Sequence, residues 1–281
     1  MILDNKYRVL EKIGNGNFGN IYKGENIRTK ENVAIKIEIK NKDLNFNSLK
    51  LEANIYNYLK NYNGFPKMKY YNSNEFYSYI VLELLNINLS KFIELNNNDN
   101  EYFLDINIIK DLGFQMINLI EFLHNKFIIH RDIKPENFLF GLKNNSSKLY
   151  LIDFGLSQNY ILNNEHIKEK EISNIIGSAN FVSLNIHKRI NPSRRDDIES
   201  IIYILFNLYF GKILWDNNVE KVSENFIYNF KKELRLEKFD IPILNDFINI
   251  LKILDNYNFY ESPDYDSIKK IIIDKNNLKI N

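Results

Sequence analysis

The stretch that decides the fold is His130-Arg131-Asp132-Ile133-Lys134-Pro135-Glu136-Asn137, followed by Ile152-Asp153-Phe154-Gly155. Asp132 can accept the proton of a substrate hydroxyl, and Lys134 can offset charge on a transferring phosphate. Asn137 and Asp153 offer the oxygen ligands that Mg²⁺ prefers. A charged surface loop would explain a lone Arg-Asp pair, but it does not explain the whole run behind the strand-like residues 148–152. The stretch therefore predicts phosphoryl-transfer chemistry.

The bulk properties fit one soluble, intracellular enzyme, which we expect to be monomeric and to lie in the cytoplasm, the nucleus or both. The chain has 281 residues, 44% of them hydrophobic, and a formal charge of +1. That charge gives no general attraction to nucleic acid or to an anionic membrane, so we expect neither as a partner. There is no cysteine, which excludes disulfides, a thiolate nucleophile and cysteine-based zinc sites. The start lacks the pattern of a signal peptide, and charged residues interrupt the most apolar segment, 198–215, which predicts a buried helix.

The predicted elements are strands first and helices afterwards. Strands are predicted at residues 7–10, 33–38 and 79–82, with a glycine-rich hairpin at 13–24 and a connector at 83–86. Helices are predicted at residues 49–59, 106–125, 198–210, 244–254 and 267–273. A strand-rich part followed by a helix-rich part is an α+β arrangement. We expect one domain over residues 1–281, with a first lobe at 1–84 and a second lobe at 85–281.

The hairpin carries the pattern Gly-x-Gly-x-x-Gly at Gly14, Gly16 and Gly19. This pattern alone is weak evidence for any one fold, because dinucleotide-binding turns share it. Here it joins two strands instead of opening a helix, which argues against a dinucleotide fold. Glycine lets the backbone approach phosphates without a side-chain clash. We predict that the loop, with its flanking Ile13 and Ile21, contacts a nucleotide.

Two further charged residues fit the same chemistry. Lys36 ends Val-Ala-Ile-Lys on a predicted strand, where a lysine can hold the α- and β-phosphates of ATP. Glu52 lies on the next helix and can fix that ammonium group in an ion pair. Each residue alone is explained as well by a solvated surface charge. Together with Asp132, Asn137 and Asp153 they provide the charged groups that phosphoryl transfer from Mg²⁺-bound ATP requires.

This set of residues resembles that of the protein kinases, and Asp-x-Lys-x-x-Asn at residues 132–137 resembles the serine/threonine class. The resemblance implies a bilobal kinase fold with a strand-rich N-lobe and a helical C-lobe. It also implies ATP and Mg²⁺ as cofactors and proteins with serine or threonine hydroxyls as substrates. Ser178 would then bridge Asp132 and Lys134; a plain loop serine is the alternative.

The end of the activation segment resembles the casein kinase 1 family. Residues 183–185 read Ser-Leu-Asn where most kinases have Ala-Pro-Glu, and residues 193–200 read Ser-Arg-Arg-Asp-Asp-Ile-Glu-Ser. Leu214-Trp215 and Pro263-Asp264-Tyr265 match as well, so that the resemblance covers about residues 7–273. It implies that Asp197 holds the backbone of the catalytic loop from a buried helix.

The same resemblance implies an adenine site. Ala34 and Leu139 would form its apolar roof and floor, and Leu82 would stand at its back as the gatekeeper. Glu83 and Leu85, with Leu84 between them, lie in the hinge that would offer backbone groups to adenine. Each of these apolar residues could instead belong to the core.

Two departures from that family bear on substrate choice. Asn180 stands where the family has an arginine that helps to bind a phosphate or an acidic side chain, and an amide carries no charge for that contact. Residues 216–221 are less basic than the family's lysine-rich loop. Lys188 and Arg189 could supply a displaced anion site, although two solvated loop cations explain them as well.

The activation segment also bears on regulation. In many kinases the arginine at the position of Arg131 binds a phosphorylated activation loop. Residues 157–176 offer Ser157, Tyr160 and Ser173 as possible phosphorylation sites. The casein kinase 1 resemblance implies activity without that event, and we predict it here.

Two other functions are compatible with a kinase-like chain. A pseudokinase that serves as a binding scaffold is one, but such proteins typically lack an equivalent of Lys36, Asp132 or Asp153. A kinase-fold enzyme acting on a small molecule is the other, but such enzymes usually lose the segment that positions a peptide. Residues 183–185 and 193–200 indicate that this segment is retained.

Overall fold

The computed structural model describes residues 1–15, 19–40, 48–98, 101–102, 104–216 and 222–273. The strands are β1 Ile2–Leu3, β2 Tyr7–Asn15, β3 Asn20–Asn26, β4 Asn32–Ile39, β5 Met68–Ser73, β6 Tyr77–Glu83, β7 Asn97–Asn98, β8 Glu101–Tyr102, β9 Ile128–Ile129, β10 Phe138–Phe140, β11 Leu149–Leu151, β12 Gln158–Asn159, β13 Ile161–Leu162 and β14 Glu165–His166. The helices are α1 Ser48–Leu59, α2 Leu89–Asn96, α3 Ile106–Asn125, α4 Leu184–His187, α5 Arg194–Phe210, α6 Glu224–Leu234, α7 Pro242–Leu254 and α8 Tyr265–Ile273. Single 3₁₀ turns span Pro135–Asn137 and Lys143–Asn145.

The chain forms two compact units. The first unit consists of Met1–Ile87 and Phe138–Gly155 and contains the six strands β1–β6, helix α1 and the hairpin β10–β11. The second consists of Asn88–Asn137 and Leu156–Asn281 and contains helices α2–α8. A strand-rich first part and a helix-rich second part confirm the predicted α+β fold class. The limits proposed for the two lobes, 1–84 and 85–281, stay a prediction.

The sheet of the first unit is antiparallel, in the order β1-β2-β3-β4-β6-β5. Successive side chains of a strand point to opposite faces. On one face Val33 and Ile35 of β4 are fully buried and pack with Tyr79 and Val81 of β6. Burying each aliphatic side chain of this kind contributes about 1.5–3 kcal/mol. The alternate residues of β4 therefore lie on the other face of the sheet.

A polar contact closes the curl of this sheet. Asp4 lies between β1 and β2, at one edge of the strand order. Its Oδ2 accepts hydrogen bonds from the hydroxyl of Tyr79 at 2.7 Å and from that of Tyr70 at 3.2 Å, in strands β6 and β5. Since β5 is the opposite edge strand, these bonds require a strongly curled sheet.

The second unit is built around α5, which packs against α3 and α7. Almost every residue of α5 is buried, including Ile201, Ile204 and Leu205. Ser193 and Asp196 form a capping box at its start, and Gly211 ends it with φ +68°. The predicted buried helix at 198–210 is therefore confirmed, but it begins earlier, at Arg194, because the capping box lies there.

Most of the predicted elements are present. Helix 106–125 is confirmed over its whole length, and the last two predicted helices begin two residues earlier than expected, at Pro242 and Tyr265. The sequence did not predict β1, β5, α2, α4 or α6, which are short or have mixed composition. Glu83, predicted as the start of the connector, is instead the last residue of β6. Among the described residues, no helix is both long and apolar enough to cross a membrane.

Candidate active site

Strand pairing brings four of the predicted nucleotide residues to one face of the sheet. Ala34 and Lys36 alternate with the core residues of β4, so they point to the face opposite Val33 and Ile35. Residues that pair directly across two strands share a face. Ile21 of β3 pairs with Lys36, and Leu82 of β6 pairs with Ala34. One face of the sheet therefore presents Ile21, Ala34, Lys36 and Leu82 together.

Lys36 is the centre of a buried ionic cluster on this face. Its Nζ lies 2.8 Å from Oε2 of Glu52 and 2.7 Å from Oδ1 of Asp153. Lys36 and Glu52 are only 5% and 2% exposed. Burial alone would lower the pKa of Lys36, but the attraction of the two carboxylates outweighs it and raises that pKa above its ordinary value. The expected Lys36–Glu52 pair is present, and the lysine stays charged.

Tyr56 also holds Asp153, a role that the sequence did not reveal. Its hydroxyl accepts a hydrogen bond from the backbone N–H of Asp153 at 3.1 Å. Its ring packs edge-on against Phe154, with the ring centroids 4.9 Å apart. Asp153 itself has φ +66°, a conformation that non-glycine residues rarely adopt and that clusters at functional sites. Helix α1 thus fixes both Lys36, through Glu52, and the strained Asp153 backbone, through Tyr56.

Replacing Tyr56 by phenylalanine should lower kcat for phosphoryl transfer. The ring contact with Phe154 is kept, but the N–H of Asp153 loses its partner. A lost hydrogen bond of this kind costs about 1–1.5 kcal/mol, which corresponds to a roughly five- to tenfold slower reaction. Steady-state kinetics would measure it, with Tyr58→Phe as the control, because Tyr58 lies on the same helix and is 55% exposed. Equal kcat for the two variants would contradict the role given to the Tyr56 hydroxyl.

The other predicted nucleotide residues also lie in the first unit. Ile13 is 49% exposed, and Leu85 and Leu139 are half-buried. Gly19 lies so close to β4 that a Cβ atom would come within 2.3 Å of the carbonyl oxygen of Ile37, so a glycine is required there. Gly14 pairs with Ile21 and has room for a side chain. Glu83 ends β6, and Gly16 lies outside the described residues.

The second unit assembles the predicted catalytic loop. Nζ of Lys134 donates to Oδ2 of Asp132 at 2.7 Å and to Oγ of Ser178 at 3.2 Å. The hydroxyl of Ser178 donates to Oδ1 of Asp132 at 2.8 Å. The expected bridge by Ser178 is therefore present, and it fixes both carboxylate oxygens of Asp132. Asn137 lies in the 3₁₀ turn that follows and donates from Nδ2 to the backbone carbonyl of Asp132 at 2.8 Å.

Asp197 holds this loop from α5, as the resemblance implied. Its carboxylate accepts hydrogen bonds from the backbone N–H of His130 at 2.7 Å and of Arg131 at 2.9 Å. Burial alone would raise the pKa of Asp197, but the hydrogen bonds from His124 and from the backbone lower it below its ordinary value. Burial lowers the pKa of His124, so its ring is neutral. The neutral ring donates from Nε2 to Asp197 and accepts at Nδ1 from the hydroxyl of Tyr265, 2.7 Å away.

The family model described as "Protein kinase domain" matches residues 7–276. The chain belongs to the protein kinase family. Kinases of this family generally use ATP and Mg²⁺ and act on proteins, so the two groups of charged residues belong to a kinase domain.

The 178–187 segment of this kinase is anchored by residues that the sequence had not assigned. The backbone N–H of Leu184 donates to Oε1 of Glu199 at 2.9 Å. The same oxygen accepts from Nη2 of Arg235 in α6, also at 2.9 Å, and from the hydroxyl of Tyr203 at 2.6 Å. Ser183 caps α4 and donates to Asp196. Glu199 stood in the quoted Ser-Arg-Arg-Asp-Asp-Ile-Glu-Ser run, but no spacing pointed to Arg235 as its partner.

Asn137 and Asp153, the predicted metal ligands, have the chemistry that Mg²⁺ requires. Mg²⁺ is usually held by one or two protein oxygens together with waters and substrate phosphates. Asn137 donates from its amide nitrogen to the carbonyl of Asp132, so Oδ1 is the atom that it could offer to a metal ion. Within the described parts of the chain, no three His, Cys, Asp or Glu side chains cluster in a way that could hold a metal ion.

Proposed function

We propose that this protein kinase is a serine/threonine kinase of the casein kinase 1 type that transfers the γ-phosphoryl group of ATP. The observation that carries the proposal is the contact of Ser178 with both Asp132 and Lys134. A hydroxyl in this position is typical of kinases that act on serine and threonine. The charged contacts of Lys36, Asp132 and Asp153 give the alternative of a catalytically inactive scaffold no support.

The reaction proposed is an in-line displacement at the γ-phosphorus. The substrate hydroxyl oxygen forms a bond to phosphorus, the bond from phosphorus to the β,γ-bridging oxygen breaks, and ADP leaves. Asp132 accepts the hydroxyl proton, and Lys134 offsets the charge on the transferring phosphoryl group. Lys36, fixed by Glu52, holds the α- and β-phosphates. When bound through Asn137 and Asp153, Mg²⁺ supplies further neutralisation of phosphate charge.

The nucleotide contacts are part of the same proposal. The glycine-rich loop Gly14, Gly16 and Gly19 covers the phosphates, with Ile13 and Ile21 beside it. The adenine ring lies between Ala34 and Leu139, with Leu82 behind it. The backbone groups of Glu83 and Leu85 offer hydrogen bonds to its edge. The shared face of Ile21, Ala34 and Leu82 supports this arrangement.

Three peptides that differ only in the acceptor residue test the hydroxyl class. One carries serine, one threonine and one tyrosine at the same position, and each is offered with Mg·ATP to the wild-type kinase. We expect phosphate in the serine and threonine peptides and none in the tyrosine peptide. Phosphorylation of the tyrosine peptide alone would overturn the proposed class.

We further propose that this kinase does not need a substrate that already carries phosphate. Asn180 is uncharged, and Nη2 of Arg189 is paired with Oε2 of Glu224 at 2.7 Å. A partner carboxylate lessens the attraction of that arginine for an added anion. Asn217–Lys221, the rest of the loop that completes the anion site in the family, lies outside the described residues.

A matched pair of peptides, with phosphoserine or serine upstream of the target serine, tests this substrate preference. Equal kcat/KM for the two supports the proposal. A clear preference for the phosphorylated peptide would contradict it and would point to a surviving anion site.

Activity without phosphorylation of the activation segment is expected from the contacts of Arg131. Its guanidinium group already donates to the carbonyl of Leu156 and to Oε1 of Gln158. Within the described segment 157–176, Ser157 and Tyr160 are buried, with their hydroxyls bonded to backbone carbonyls. Ser173 is the acceptor left exposed.

Phosphatase-treated kinase should therefore keep its kcat, and Ser173→Ala should match the wild type. Assays of both samples after mass spectrometry has verified the absence of phosphate would measure this. A loss of activity on dephosphorylation, restored by autophosphorylation, would show that the prediction is wrong.

A further inference from the structure

Lys231 of α6 is a buried lysine that the proposed reaction does not use. Its side chain is fully buried, and its Nζ lies within hydrogen-bond distance of three acceptors in the 178–187 segment. It donates to the backbone carbonyl of Val182 at 2.7 Å and to that of Ala179 at 3.2 Å. Nε2 of His187 lies 3.3 Å away. The amine thus meets two backbone carbonyls and one ring nitrogen from a single stretch of chain.

The ring of His187 suits this contact. Burial, with the nearby charge of Lys231, lowers the pKa of His187 to about 4. The imidazole is therefore neutral at physiological pH, and one of its nitrogens can accept a hydrogen bond. Nε2 is the nitrogen that faces Lys231.

Burial lowers the pKa of Lys231 well below its ordinary value, and the nearby aromatic rings and Glu199 oppose that effect only in part. Its Nζ lies 4.5 Å from the ring centroid of Tyr203 and 4.9 Å from that of Trp215, distances at which a cation is attracted to an aromatic face. Glu199 attracts it at longer range but is bonded to Arg235. Because burying an amine without hydrogen-bond partners is unfavourable whether or not it is charged, its hydrogen bonds to the segment must be kept for this site to be stable.

These hydrogen bonds hold the segment at positions between Ser178 and Ser183, which are themselves fixed by hydrogen bonds. Ala179 directly follows Ser178, whose hydroxyl bonds Asp132. Val182 directly precedes Ser183, which caps α4. We propose that Lys231 is a positioning residue that clamps residues 179–182 and so shapes the surface on which a protein substrate lies beside Asp132. This inference rests on the proposed function, because it explains how the same site binds its protein substrate.

The clamp should affect binding of the protein substrate and leave binding of ATP unchanged. The partners named for Lys231 lie in the second unit, whereas Lys36, Glu52 and Asp153 lie in the first. Loss of the amine leaves buried carbonyls without a donor, so the 178–187 segment should rearrange. We expect the KM for casein to rise about tenfold or more.

Lys231→Met tests this, because methionine has a similar length and no donor. The control is Lys232→Met, since Lys232 is the next residue on α6 and is exposed. KM values for casein and for ATP are measured with both variants. A raised KM for casein with an unchanged KM for ATP supports the clamp. Equal casein KM in the two variants, or parallel increases for casein and ATP, would overturn it.

Hydrogen exchange separates this proposal from the proposed function. Amides of residues 178–187 should exchange faster in Lys231→Met than in Lys232→Met, whether or not any peptide is phosphorylated. If Lys231→Met does not fold, Lys231→Gln replaces it; its amide keeps two donors, so a smaller change in the same direction is expected. Unchanged exchange would overturn the clamp. If the wild type phosphorylates no substrate, the proposed function fails, and exchange alone decides on Lys231.

Discussion

Asp132→Asn should reduce kcat for phosphoryl transfer by about a hundred- to ten-thousandfold, the range for loss of a general base. Asparagine has the same shape but cannot take a proton from the substrate hydroxyl. It also has a single acceptor oxygen, whereas Asp132 accepts from Ser178 at one oxygen and from Lys134 at the other. The backbone carbonyl that Asn137 bonds is unchanged, so the loop should keep its fold. ATP affinity should stay at the wild-type value.

Glu136→Gln is the matched control for this experiment. Glu136 lies in the same loop and is exposed, so removing its charge should leave kcat unchanged. Single-turnover kinetics with bound ATP separates the chemical step from product release. If Asp132→Asn kept more than about a tenth of the wild-type rate, the effect would fall below the range for a general base and the role assigned to Asp132 would be wrong.

Lys36→Met should cost both activity and stability. Removing one preorganised electrostatic group commonly lowers the rate about a hundred- to a thousandfold. Glu52, which is 2% exposed, and the nearby Asp153 would lose their cation. Breaking a buried ion pair by removing one partner costs about 3–5 kcal/mol. Steady-state kinetics and denaturant unfolding would measure the two losses on the same protein.

A second substitution makes the test of the ionic cluster sharper. Adding Glu52→Gln to Lys36→Met should restore part of the lost stability, because it removes a buried charge without a partner, but should restore no activity. Lys23→Met is the control, since Lys23 on β3 forms an exposed pair with Glu11 at 3.3 Å, of a kind that contributes about 1 kcal/mol or less. Equal stability of Lys36→Met and Lys23→Met would contradict the account of the cluster.

The sequence predicted the parts of the fold that depend on local pattern. The helix predicted at 106–125 has the limits of α3, and the strand predicted at 33–38 lies within β4. The hydrophobic pattern gave less information where a capping residue sets the start of a helix, as Ser193 does for α5. It also gave less information for short elements such as α2. Helix α6 begins shortly after residues 216–221, for which only the charge was considered. The buried face of α6 was therefore not predicted.

The sequence predicted contacts between residues that carry a motif and missed contacts that depend on distant partners. Lys36, Glu52 and Asp132 were identified from their order along the chain, and their contacts are present. Tyr56 could not be told from any core aromatic residue of α1, because its function depends on Asp153, 97 residues away. Lys231 was overlooked because a lysine is usually exposed. Only the folded chain shows the carbonyls that it meets.

The most direct test of the central claim is transfer of radiolabelled phosphate from Mg·ATP to casein, followed by identification of the labelled amino acids. The wild type and Asp132→Asn are assayed side by side, with ATP binding measured for both. The account predicts labelled phosphoserine or phosphothreonine from the wild type and almost none from the variant, at equal ATP affinity. Labelling of tyrosine alone, or labelling by the wild type no greater than by Asp132→Asn, would contradict it.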